Sequence, residues 1–215
     1  MPIGKGKHSL YNRFLWQKME TSNYKKFTQK RNPIQFFLTR NFLRTLARTV
    51  RVYNPQTILD VGCGEGFTLN YLQKHKIGKR LEGIEYSDDA ITLGKKLYPS
   101  LTFKKGNIYK LPYKDNSFDL VVCTEVLEHL DNPRKAYKEL IRVSKRFILL
   151  SVPNEPLFKL GNLMRGKDIR RLGNNVEHIQ NWTALGFLKF VKTRGVKIVT
   201  RRFPIPWTMV LLKKA

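Results

Sequence analysis

From residue 57 onward, short apolar runs alternate with amphipathic stretches of helical spacing, and this alternation restricts the fold more than any other feature of the chain. The strand-like runs are 57–61 (TILDV), 80–85 (RLEGIE), 101–104 (LTFK), 118–123 (FDLVVC) and 146–152 (RFILLSV). Between and after them, helix-like segments begin near Phe67, Asp88, Asn132 and Asn181. Strands that alternate with helices predict a parallel sheet covered on both faces. At the end of the chain, 196–203 and 207–213 flank Pro204 and Pro206. A parallel crossover needs roughly a dozen residues or more, so this short link predicts an antiparallel closing pair. The expected fold is therefore a doubly wound α/β sheet of seven strands, mostly parallel, with an antiparallel C-terminal strand.

The 215 residues carry 41 Lys and Arg against 16 Asp and Glu, a formal charge of +25. Residues 1–53 hold 12 of these cations and one acid, Glu20; residues 54–150 hold 16 and 12; residues 151–215 hold 13 and 3. The middle is nearly balanced and the two ends are basic. A hydrophobic content of 41% excludes disorder throughout. Cys63 and Cys123 lack CxxC spacing, which argues against a zinc knuckle and a disulfide framework. No apolar run approaches the roughly 18 residues of a spanning helix, and no apolar stretch follows the first lysines as in a secretory signal. A cytoplasmic protein, peripheral to a membrane at most, is the expectation.

Two regions follow. Residues 1–53 are expected to form a basic arm and a helix packed on the core, and residues 54–215 the main domain. In the stretch from Ile34 to about Tyr53, Leu38, Phe42, Leu46 and Val50 recur every four residues, with Leu43 and Ala47 broadening that face. Arg40, Arg44 and Arg48 form a second stripe, where stacked cations repel unless a partner meets them.

The strongest local signal is Asp60-Val61-Gly62-Cys63-Gly64-Glu65-Gly66-Phe67, an apolar strand entering a glycine turn and then a helix. Glycines there permit tight backbone geometry and close approach of a ligand to the amides at the helix start. A dinucleotide fingerprint needs G-x-G-x-x-G, and its third glycine position falls on Phe67. A P-loop needs G-x-x-x-x-G-K-[ST], which is absent. Neither NAD nor ATP is favoured.

What remains resembles the class I S-adenosylmethionine-dependent methyltransferases, in the branch of the ubiquinone-pathway enzymes, over roughly residues 57–152. Their fold is Rossmann-like, and their first motif is an acid before G-x-G-x-G, here Asp60, Gly62, Gly64 and Gly66. Glu85 ends the second strand, where the family's acid holds both ribose hydroxyls; a carboxylate accepts two hydrogen bonds at once. Asn107 stands where the family commonly has Asp against the adenine amino group. The segment from Ser117 to Leu130, with Thr124-Glu125-Val126-Leu127-Glu128-His129, is similar to the family's fourth-strand motif. The resemblance thus implies Asp60, Gly62, Cys63, Gly64, Glu85, Tyr86, Asn107, Ile108 and Thr124 as cofactor-binding residues, with S-adenosylmethionine as methyl donor.

A methyl sulfonium is already activated, so in-line alignment is expected to supply most of the rate. A base is needed only where the acceptor must lose a proton. Glu125, Glu128 and His129 are candidates, placed on one face if a helix starts there, and His178 is the fourth. Glu-x-x-Glu-His followed by a later His resembles metal-dependent 2′-O-methyltransferases acting on small-RNA ends, and also ubiquinone-pathway O-methyltransferases. Relatives also keep this tract without a metal, so a divalent metal is conceivable but not favoured.

Residues 153–182 are expected to form a loop and short-helix cap over the site, both basic and apolar, with Lys159, Arg165, Lys167, Arg170 and Arg171 beside Phe158, Leu160, Leu163 and Met164. A small-molecule or lipid-like acceptor fits both properties. RNA bound through the basic ends is the alternative, supported by charge but by no recognisable RNA-binding module. An anionic membrane surface is a further candidate partner, and a non-catalytic S-adenosylmethionine-binding protein the remaining class.

Overall fold

The computed structural model describes residues 33–164, 172 and 178–215. The predicted basic arm, and Arg165, Lys167, Arg170 and Arg171 of the cap, lie outside the described residues.

The chain opens with helix α1 (Pro33–Arg51) and proceeds through β1 (Thr57–Val61), α2 (Phe67–Lys74), β2 (Arg80–Glu85), α3 (Asp88–Leu97), β3 (Thr102–Lys105) and β4 (Phe118–Thr124). A 3₁₀ turn (Leu127–His129) leads into α4 (Pro133–Val143) and β5 (Ser144–Pro153). Helices α5 (Glu155–Met164) and α6 (Ala184–Phe190) precede β6 (Val196–Arg202) and β7 (Trp207–Lys214). The seven strands form one sheet in the order β3-β2-β1-β4-β5-β7-β6. β1 to β5 pair in parallel, and β7 runs antiparallel to both β5 and β6. The antiparallel closing pair is thus where the short Pro204–Pro206 link requires it.

Alternation along the strands explains the two layers. Successive residues of a strand face opposite sides. Leu59, Val121, Ile148 and Val210 pack with Tyr137 and Leu140 of α4 and Phe187 of α6. Their neighbours Ile58, Leu120, Leu149 and Leu211 meet Phe42, Leu46 and Val50 of α1. The predicted apolar stripe of α1 is therefore its buried face, while Arg40, Arg44 and Arg48 are exposed.

Local signals set the helix ends. Ser87 caps α3, its hydroxyl accepting from Ala90 N–H, and Asn132 caps α4, accepting from Lys135 N–H. The helix expected near Asn181 begins at Ala184 instead, because the Thr183 hydroxyl accepts from Gly186 N–H and fixes the start there. Within the expected loop and short-helix cap, α5 is a helix of 10 residues entered directly from β5.

Candidate active site

The glycine turn sits where β1 ends between β2 and β4. Gly62 N–H donates to the Ile84 carbonyl at 2.8 Å, which ties the turn to β2. Gly62 has φ +73°, and a Cβ there would lie 2.4 Å from a Val126 methyl. Glycine is required twice over, by backbone conformation and by the side chain that closes against it. Gly66, with φ +84°, stands at the start of α2.

Two carboxylates flank the turn. Glu85 accepts from Gly64 N–H at 2.9 Å through one oxygen, and from Tyr86 and Ser87 N–H at 2.7 and 3.0 Å through the other. Charge-assisted bonds of this kind fix the carboxylate beside the turn. Asp60 is buried, and neither of its oxygens has a hydrogen-bond partner among the described residues. Burial, and secondarily the Glu85 charge, raises its carboxyl to about 7. A buried acid without a partner is costly, and a cationic ligand group would offset that cost. S-adenosylmethionine fits this set: Asp60 can meet its cationic end and Glu85 a pair of hydroxyls. Burial pushes the Cys63 and Cys123 thiols up, so both remain neutral.

The remaining predicted contacts are distributed around the same rim. Asn107 Oδ1 accepts from Tyr109 N–H at 2.9 Å, an Asx turn that leaves Ile108 packed on the core. Thr124 is half-buried at the end of β4, and the Tyr86 side chain is exposed.

The predicted common face for Glu125, Glu128 and His129 is not what the chain forms. Glu125 has φ +59°, so no α-helix continues from β4, and a 3₁₀ turn follows. Its carboxylate is turned aside, accepting from Ser151 Oγ at 3.1 Å and from Trp207 Nε1. Glu128 and His129 instead join His178: one ligand atom from each lies within 4.8 Å of the others. The Glu128 carbonyl accepts from Ile179 and Gln180 N–H at 2.9 Å each, which brings the His178 segment onto the turn. The His178 Nδ1 is 2.6 Å from Glu155 Oε1, with both side chains buried. Sequence reading missed Glu155 and Trp207. The only cue for Glu155 is its position just beyond β5, at the strand ends where α/β folds place their sites.

Residues 59–147 match the model of a family described as a methyltransferase domain. Over 96 residues the chain is 35% identical to norajmaline N-methyltransferase of Rauvolfia serpentina, covering 42% of this chain and 32% of that protein. Over 107 residues it is 31% identical to demethylmenaquinone methyltransferase of Renibacterium salmoninarum, covering 50% and 44%. The chain spans about a third to a half of the length of the curated relatives it matches. The solved methyltransferase domain of a bacterial Hen1 superposes with a TM-score of 0.64 at 22% identity, over 82% of this chain and 99% of that one. The matched segment contains the glycine turn, Glu85 and the fourth-strand motif, on the strand order described above. Over residues 59–147 the chain is therefore similar to S-adenosylmethionine-dependent methyltransferase domains, on the strand order of the solved methyltransferase it superposes on.

Proposed function

We propose that the protein transfers a methyl group from S-adenosylmethionine to a small-molecule or lipid-like acceptor bound above the ends of β4 and β5. The observation that carries the reading is the buried Asp60, without a hydrogen-bond partner among the described residues, beside Glu85 and the glycine turn. S-adenosylmethionine supplies an activated methyl group when bound. Asp60, Gly62, Cys63 and Gly64 would hold its amino-acid end, Glu85 and Tyr86 its ribose, and Asn107 and Ile108 its adenine, with Thr124 at the floor. His129 has the most exposed side chain of its cluster and is placed to take a proton from an acceptor, with the buried Glu128 beside it. Glu125, held by Trp207 and Ser151, acts as a positioning group at the same rim.

Two features favour this acceptor class. The relatives reported above are named for small molecules, and α5 presents Leu157 and Leu160 in solvent next to the site. Transfer of labelled methyl into fractionated extract tests the proposal. Label in the lipid or small-molecule pool supports it, and label confined to RNA overturns it.

A second reading rests on Glu128, His129 and His178. One carboxylate and two imidazoles suit the softer divalent ions better than Mg²⁺, and Glu155 on His178 is the kind of outer partner that orients a ligating histidine. These three residues would hold the ion, which would polarise an acceptor hydroxyl, including a ribose hydroxyl at an RNA end. Metal analysis of purified protein and activity after chelation decide it. Full activity without bound metal excludes this reading and leaves the first intact.

A further inference from the structure

Three elements meet at the end of the sheet where the parallel strands finish. α1 begins there: the Phe42 ring lies 5.0 Å from Trp207, which opens β7 opposite Pro153, the last residue of β5. At its other end Arg51 donates to the His75 carbonyl beyond α2. α5 follows β5 directly, and residues 203–206 join β6 to β7 at the same end.

Each element leaves apolar side chains in water. Ile34 is 71% exposed and Phe37 66% exposed on α1, Leu157 and Leu160 are exposed on α5, and Phe203 and Ile205 are exposed in the turn. At the opposite end, Val52 is the exposed large apolar side chain among the described residues. Apolar side chains gathered at one rim mark a contact surface, whereas scattered ones need no explanation.

Charge on these elements is one-sided. α1 and residues 196–214 contain no acid, and the one acid of α5, Glu155, is buried against His178. Arg40, in the first half of α1, and Arg201 and Arg202, next to the β6–β7 turn, are largely exposed and pair with no acid among the described residues. Apolar side chains bordered by arginines are the chemistry of a surface that lies in the headgroup layer of an anionic bilayer. No helix among the described residues is long and apolar enough to cross a membrane, so the contact is interfacial.

We infer that this end of the molecule docks on an anionic phospholipid surface, inserting the side chains at the start of α1, on α5 and in the β6–β7 turn. The docked orientation turns the mouth beside the glycine turn toward the bilayer, where a lipid-like acceptor enters. The inference deepens the lipid-like reading above and rests on it only for that last step, since docking itself requires neither donor nor acceptor.

Flotation of the full chain with phosphatidylcholine vesicles, with and without phosphatidylglycerol, tests it. Binding is expected only with the anionic lipid and should fall with salt. Arg40→Gln/Arg201→Gln/Arg202→Gln should weaken partition by roughly fivefold per arginine. Phe203→Ser/Ile205→Ser should weaken it at least about tenfold, while Val52→Ser changes nothing. Equal binding to neutral vesicles, no binding to either, a dimer that buries this rim, or variants that bind like wild type overturn the inference. Donor binding measured in parallel separates the two proposals: vesicle binding without donor binding refutes methyl transfer and leaves docking standing.

Discussion

The Nδ1 of His178 and Oε1 of Glu155 lie 2.6 Å apart, two buried groups that the start of α5 and the segment before α6 bring together from 23 positions apart. The contact fixes the imidazole and leaves Nε2 as its available ligand atom, on a ring whose centroid is 5.1 Å from that of His129. Glu155→Gln keeps the shape of the contact but removes the charge that makes His178 a better ligand. Affinity for Zn²⁺ or Mn²⁺, measured by calorimetry, should fall by about 10- to 100-fold. An unchanged affinity, or no measurable metal binding by the wild-type protein, refutes the metal reading.

Glu85 organises the turn before any ligand arrives, since three backbone N–H groups converge on its carboxylate. Glu85→Gln retains one acceptor oxygen and sets an NH₂ against a backbone donor. Loss of a charge-assisted bond costs about 1.5–3 kcal/mol. Donor affinity should drop by at least about tenfold, and the unfolding midpoint should fall with it. Glu85→Asp, which retains the charge on a shorter stem, should recover less than half of the lost affinity.

The contrast between these two acids shows what the sequence could reveal. Glu85 was legible because it ends the strand-like run that follows the glycine turn, the position at which the resembling methyltransferases carry an acid. Glu155 and Trp207 were not, because their partners His178 and Glu125 are 23 and 82 residues away. Only the stacking of β5 against β7 brings Trp207 to Glu125. The sheet was readable from the residues themselves: each buried strand is a short apolar run, and the Pro-flanked link limits how the last two can pair. The helical reading of Glu125, Glu128 and His129 failed on a single backbone conformation, the left-handed Glu125, which residue spacing does not encode.

Asp60 should give the domain a pH dependence with a defined sign. Burial, and secondarily Glu85, raises its carboxyl from an ordinary 3.8 to about 7. The folded state thus prefers the neutral acid. This contribution is fully present below about pH 4 and is lost as pH rises to about 7. Asp60→Asn holds the neutral form at every pH. Without donor, its stability relative to wild type should improve by about 4 kcal/mol between pH 4 and pH 8, measured by urea unfolding. A bound cation favours the carboxylate, so donor affinity of the wild type should rise through pH 7 while that of the variant stays flat. Parallel pH profiles for the two proteins would place the cation elsewhere.

Gly62 and Val126 form the contact that joins the glycine turn to the segment after β4. A Cβ on residue 62 meets a Val126 methyl at 2.4 Å, and φ of +73° disfavours any L side chain. Gly62→Ala therefore incurs two separable costs: about 1–2 kcal/mol for the backbone and about 1–3 kcal/mol for overpacking. Val126→Ala removes the clashing methyl and leaves the backbone cost untouched. In the double variant the unfolding free energy should recover by about 1 kcal/mol relative to Gly62→Ala, a non-additivity expected of residues in contact. Donor affinity should recover less, because the turn still carries the strained conformation. If the two substitutions simply add, the turn has moved away from Val126 and the close approach of these segments is not what positions the site.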